Sequence, residues 1–127
     1  MTGMNWSVVL VIGVVVALII GLKWLGLVSA KAAQALLKKG ALVIDVRSRG
    51  EFNSGHLPVA INIPLDEIET ALPRRVKDKN QTLLLHCQSG TRSGMAKNKL
   101  KTLGYANIFN LGSLARARKI AGNVGGN

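Results

Sequence analysis

The pattern of apolar and polar positions divides the chain into two unequal parts. Residues 6–22 (WSVVLVIGVVVALIIGL) carry no charged side chain and show no polar stripe. A helix on the surface of a soluble domain needs one polar face, so an apolar run of this kind predicts a helix surrounded by lipid. Counted from Trp6 through Val28, that helix is about 34 Å long at the α-helical rise. A hydrocarbon core of about 30 Å is crossed by that length with some tilt. Trp6 and Trp24 flank the run where interfacial indoles belong, and Lys23 has the reach to snorkel to the headgroups.

From Ser29 onward, short apolar runs alternate with amphipathic segments. The spacing predicts a helix over 30–39, with Ser29 as N-cap and Gly40 as its stop. A buried strand follows over 41–46, then one helical turn over 48–53 that ends near Gly55. A short strand over 60–63 is closed by Pro64, and a helix over 65–72 is stopped by Pro73. A basic connector occupies 74–79. A buried strand over 82–86, a helix over 94–103, a strand over 105–111 and a helix over 113–121 complete the order. Short apolar strands alternating with helices predict an α/β fold, a parallel sheet with helices on both faces, here preceded by one transmembrane helix. The expected organisation is a membrane anchor at 1–28, one α/β domain at 29–121 and a Gly/Asn-rich flexible tail at 122–127.

Composition sharpens this picture at three points. The chain has 127 residues, with 17 Lys and Arg against 6 Asp and Glu, a net charge of +11. All of that charge lies from Lys23 onward, and Lys23, Lys31, Lys38 and Lys39 follow the apolar run closely. Positive residues stay on the cytoplasmic side, so a single-pass inner-membrane topology with the C-terminal domain facing the cytoplasm is expected. A cleaved signal peptide is the rival, because Val28, Ser29 and Ala30 suit a peptidase. It lacks a basic start before Trp6, and Lys23 falls between the apolar run and the cut, which favours a retained anchor. The basic excess comes with no nucleic-acid reading motif and no aromatic platform. It reads as attraction to the inner leaflet, about 1 kcal/mol per well-placed Lys or Arg. A membrane and small anions are the expected partners, and nucleic acid is not. The single cysteine, Cys87, excludes an internal disulfide and leaves no resolving thiol. Neither zinc-type Cys/His spacing nor any other metal-ligand pair is present, and no cofactor is expected.

Cys87 lies at the carboxyl end of a buried strand and just before a helix, where ligands bind in open α/β sheets. The loop reads His86, Cys87, Gln88, Ser89, Gly90, Thr91, Arg92, Ser93. Ser89 and Gly90 add little bulk, so successive backbone N–H groups can turn inward and hold an anion. Arg92 adds a fixed positive charge. A thiol in that setting has a lowered pKa and is a good nucleophile at neutral pH. The competing reading is that a lone cysteine is a small buried hydrophobe. Asp45, Arg47 and Glu51 offer an ion-pair network near the cleft rim, within which His56 can hydrogen-bond; all four read as structural.

Together these residues resemble the rhodanese domain family. The matching pieces are Asp45-Val46-Arg47, Glu51-Phe52, Gly55-His56-Leu57, Ala60-Ile61-Asn62-Ile63-Pro64 and Cys87-Gln88-Ser89-Gly90-Thr91-Arg92-Ser93, in family order. The resemblance implies a thiosulfate sulfurtransferase-like enzyme. In that family the loop cysteine takes a sulfane sulfur from a donor such as thiosulfate, holds it as a persulfide and passes it to a thiol, cyanide or another acceptor. Carried over, Cys87 is the nucleophile, Gln88, Ser89, Gly90, Thr91 and Ser93 form the backbone cradle, and Arg92 is the anion contact. Phosphatases of the same fold place Arg one residue further from the cysteine, so the spacing here matches the sulfur-sized loop. Many members carry a Gly-Gly turn and a helix with a Trp near the end, whereas this chain has Gly112-Ser113-Leu114 and Arg116. Two alternatives remain at this point: a rhodanese-like binding module without turnover, and an anion reductase or phosphatase of the same fold.

Overall fold

The computed structural model describes residues 3–125, without the side chains of 22–25 and 123–125. Ten regular elements follow in order: α1 (Trp6–Leu25), α2 (Ala30–Lys38), β1 (Leu42–Asp45), α3 (Arg49–Asn53), β2 (Ala60–Asn62), α4 (Ile68–Arg75), β3 (Leu83–Cys87), α5 (Thr91–Thr102), β4 (Ile108–Ser113) and α6 (Leu114–Gly125). The four strands form one parallel sheet in the order β2-β1-β3-β4.

Alternation along the buried strands divides the core in two. Ile44, Leu83 and Leu85 point to one face, where Ile68 and Leu72 of α4 and Ala96 and Leu100 of α5 cover them. Val43 and Leu84 point to the other, under Ala33 of α2 and Leu114, Ala117 and Ile120 of α6. The α/β architecture with helices on both faces is therefore present. The order also puts β1 and β3 at the centre, so the carboxyl ends of the two strands carrying Asp45 and Cys87 lie side by side, Asp45 in register with His86.

Several element boundaries differ from the sequence expectation. Helix α5 begins at Thr91 rather than at residue 94, because Gly90 takes φ +100° and turns the chain into the helix directly. Pro73 lies inside α4 rather than stopping it. The preceding 3₁₀ turn, Leu65–Glu67, delays the start of α4, and Val76 N–H still bonds the Leu72 carbonyl at 2.8 Å. Helix α6 continues to Gly125, past the expected end at 121, so part of the expected tail is helical and residues 126–127 lie outside the described residues.

The transmembrane helix expected over 1–28 is not found. Among the described residues, no helix is long and apolar enough to cross a membrane. The described apolar side chains run from Trp6 to Gly21, about 24 Å at the helical rise against a core of about 30 Å. The expected boundary at 28 is also too late. Helix α1 ends at Leu25, and Gly26 follows at φ +60°. Leu27 forms a bridge beside Asn110, and Val28 N–H bonds the Asn110 carbonyl at 3.0 Å. These two residues thus belong to the edge of the sheet. What remains of α1 is apolar all round, its large side chains between 38% and 71% exposed from Trp6 to Ile20.

Candidate active site

The site is built where β3 hands over to α5. All five residues of β3 are buried, so the strand delivers Cys87 to the sheet's edge with no freedom to shift. Only Gln88, Ser89 and Gly90 lie between strand and helix, and Thr91, Arg92 and Ser93 already form the first turn of α5. Gly90 is required twice over. Its φ of +100° is left-handed, and a Cβ there would stand 3.2 Å from Gly112 Cα. Close approach of the loop to β4 is completed by a bridge between Ser89 and Ser113.

The result is a sulfur faced by donors. Gly90 N–H donates to Cys87 Sγ at 2.9 Å, and the Ser93 hydroxyl lies 3.5 Å from the same atom. Burial alone pushes the thiol pKa up. The Ser93 hydroxyl and the backbone N–H groups of Ser93, Gly90 and Ser89 outweigh it and bring the thiol below its ordinary value. Cys87 itself has no accessible surface. A cavity of about 300 Å³ is lined by Val46, Ser48, Pro64, Leu65, Asp66, Arg92 and Lys99 and not by Cys87. Val46 and Leu65 also pack in the core cluster that holds Cys87.

The charged residues sort into two separate pairs rather than one network. Asp45 and Arg47 are both buried, and the guanidinium grips the carboxylate with Nε at 3.0 Å and Nη2 at 2.8 Å. Arg47 Nη2 also donates to the Gly55 carbonyl at 2.7 Å, and Nη1 reaches the Gln88 side-chain oxygen at 3.4 Å. This ties the β1 end to the cysteine loop. Glu51 and Arg92 form the second pair, with two hydrogen bonds of 2.6 and 2.9 Å. The Arg92 hydrogen bonds hold the Glu51 carboxyl down at about 2. Arg92 therefore faces a carboxylate here, not the open cradle. Glu51 also completes a capping box with Ser48, which fixes α3. His56 joins neither pair: its Nδ1 lies 2.8 Å from the Phe52 carbonyl and its ring stacks on Phe52 at 3.7 Å.

Sequence reasoning gave no site role to three residues that the fold places here. His86 is fully buried with neither ring nitrogen hydrogen-bonded; burial pushes its pKa down against the pull of Asp45, whose Oδ2 is 3.8 Å away. Asn62 donates to the Asp45 and Arg47 carbonyls, both at 2.9 Å. Asn110 is buried in β4 and touches the cysteine loop. A polar amide between Phe109 and Leu111 in an apolar strand was the visible signal. Arg116, in the first turn of α6, donates to the Leu111 carbonyl at 2.7 Å and to the Val28 carbonyl.

Comparison with known proteins places this geometry. The model of the rhodanese-like domain matches residues 29–115. The chain belongs to the rhodanese-like family. Thiosulfate sulfurtransferase PspE of Escherichia coli is 41% identical over 71 residues, 56% of this chain and 68% of that protein. Human thiosulfate:glutathione sulfurtransferase is 34% identical over 96 residues, 65% of this chain and 84% of the relative. Among solved structures, a rhodanese with anions from E. coli superposes with a TM-score of 0.59 at 38% identity, covering 61% of this chain and 91% of the other. The human single-domain sulfurtransferase TSTD1 superposes with a TM-score of 0.63 at 30% identity, covering 74% and 96%. The enzyme class expected from the cysteine loop, a rhodanese-like sulfurtransferase, is the one these relatives share.

Proposed function

We propose that Cys87 carries sulfane sulfur as a persulfide between a small anionic donor such as thiosulfate and a thiol, cyanide or other nucleophilic acceptor. One observation carries this reading: Gly90 N–H at 2.9 Å and the Ser93 hydroxyl at 3.5 Å face one sulfur atom at the tip of a parallel strand. In the first half-reaction the Cys87 thiolate attacks the outer sulfur of thiosulfate. The new Sγ–S bond forms as the S–S bond of the donor breaks, and its electron pair leaves with sulfite. In the second, the acceptor attacks the terminal sulfur, and the Sγ–S pair returns to Cys87 as thiolate. Both enzyme forms are anions, the thiolate charged at Sγ and the persulfide at its outer sulfur about 2 Å further on, so N–H donors arrayed around the loop can stabilise each. Gln88, Ser89, Gly90, Thr91 and Ser93 form the cradle in this reading. Arg92 contacts the donor after release from Glu51, while Asp45, Arg47 and Glu51 hold the frame.

Membrane attachment through α1 is part of the proposal. It rests on the absence of charge before Lys23, on the exposed apolar side chains around α1, and on the Lys residues that follow. Flotation of the full chain with liposomes tests it, and a chain left at the bottom of the gradient refutes attachment without touching the chemistry.

The absence of accessible surface at Cys87 favours a second reading, a binding module without turnover. Steady-state transfer separates the two. The full chain should form thiocyanate from thiosulfate and cyanide, and Cys87→Ser should abolish it. No transfer by the wild type refutes the enzymatic reading, and hydrolysis of an aryl phosphate in its place assigns the site to phosphatase chemistry.

A further inference from the structure

The Asn110 carboxamide lies wholly inside the protein, between β4 and the cysteine loop. Two backbone groups among the described residues bear on its orientation. Oδ1 accepts the Gly112 N–H at 2.9 Å, and Nδ2 donates to the Gly90 carbonyl at 3.1 Å. With the amide so fixed, Oδ1 stands 2.7 Å from the Ser93 hydroxyl. Ser93 has one hydroxyl proton and three acceptors within reach: Asn110 Oδ1, the Gly90 carbonyl at 3.0 Å and Cys87 Sγ at 3.5 Å. A side chain on one strand thus contacts the Ser93 hydroxyl, which faces the sulfur on the next, and the carbonyl of Gly90, whose N–H faces it.

We propose that Asn110 is a positioning residue for Cys87, bridging β4 to the loop and holding the Gly90 turn and the Ser93 hydroxyl beside Sγ. With the thiol present, Ser93 donates to Asn110 and its lone pairs face the S–H. When the sulfur becomes anionic, the Ser93 proton turns to it, and Oδ1 keeps the Gly112 N–H, so no buried acceptor is left empty. Holding the Gly90 carbonyl matters equally. That contact holds the Gly90–Thr91 peptide, and the left-handed Gly90 joins it to the Ser89–Gly90 peptide, whose N–H lies 2.9 Å from Sγ. The stabilising donors are thus held from outside their own loop, by β4.

The inference rests on the sulfurtransferase reading only for its purpose, so its test uses no sulfur donor. The full chain, in a maltoside detergent that does not absorb, is titrated at 240 nm, where the difference from Cys87→Ser isolates the one thiolate. Asn110→Ala should raise the Cys87 pKa by about one unit, leaving about tenfold less thiolate at a pH below it. Ser93→Ala should raise it too, and the double variant should exceed the sum, because Asn110 Oδ1 competes with Sγ for the Ser93 proton and that competition is gone without Ser93. If Asn110→Ala does not fold, Asn110→Leu fills similar space without polar atoms and should give the same rise. An unchanged pKa in a folded Asn110 variant, or strict additivity with Ser93→Ala, overturns the proposal. The reaction class fails separately, if the wild type takes no sulfur while these shifts are seen.

Discussion

Glu51→Gln isolates the charge of the Glu51–Arg92 pair, because Gln keeps the capping box with Ser48 that fixes α3. Glu51 sits at about 2 instead of 4.5, chiefly through its hydrogen bonds from Arg92. At face value that depression equals about 3 kcal/mol of preference for the charged, paired state. The two side chains are 36% and 35% exposed, so solvent screening cuts the figure to about 1 kcal/mol. Two consequences follow. A carboxyl whose pKa is depressed by folding adds stability that is complete above 4.5 and lost as pH falls towards 2. Unfolding of the domain between those values should therefore flatten in Glu51→Gln, and its Tm at pH 7 should fall by roughly 4 °C. Release of Arg92 should also lower the KM for thiosulfate by about fivefold, the equivalent of the lost competition. Arg92→Ala should raise it. Steady-state kinetics at pH 7 and thermal scans from pH 2 to 7 read all of this. A KM that does not move in either variant refutes Arg92 as the donor contact.

Three more outcomes follow from the same geometry. Gly90→Ala forces a side chain into φ +100° and towards Gly112 Cα, so a loss of about 2 kcal/mol, read from the urea midpoint, should come with loss of transfer. Asp45→Asn leaves the buried Arg47 guanidinium without its carboxylate and should cost about 3–5 kcal/mol in denaturant unfolding; a cost under about 1 kcal/mol would show that the pair is not structural. With the loop donors holding the thiol pKa down, the rate of sulfur uptake should rise with pH and level off below the range of an ordinary thiol, and a plateau only above that range would contradict the cradle.

The sheet and its helices could be read from alternation, because buried parallel strands such as β3 are apolar on both faces and helices such as α2 announce their ends with Ser29 and Gly40. Cys87 and its loop were legible for the same reason: small residues between a strand and a helix have few uses. The sequence did not reveal where α5 begins, since a left-handed Gly at the N-cap leaves no Ser or Asp signal. Nor did it place Leu27 and Val28 at the sheet edge, since in an apolar run they match the span before them. Arg92 was assigned to the anion by its place in the loop and by the family resemblance. Its bidentate hold on Glu51 depends on a contact 41 residues away in sequence, which no local pattern encodes. Asn110 escaped for a similar reason, its partners Gly90 and Ser93 being brought to it only by the pairing of β3 with β4.

The most direct measurement is the intact mass of the full chain before and after exposure to thiosulfate, with Cys87→Ser alongside. The account predicts a gain of one sulfur atom in the wild type, removed by cyanide or a thiol and absent from the variant. A mass unchanged by the donor, or an equal gain in Cys87→Ser, would contradict it.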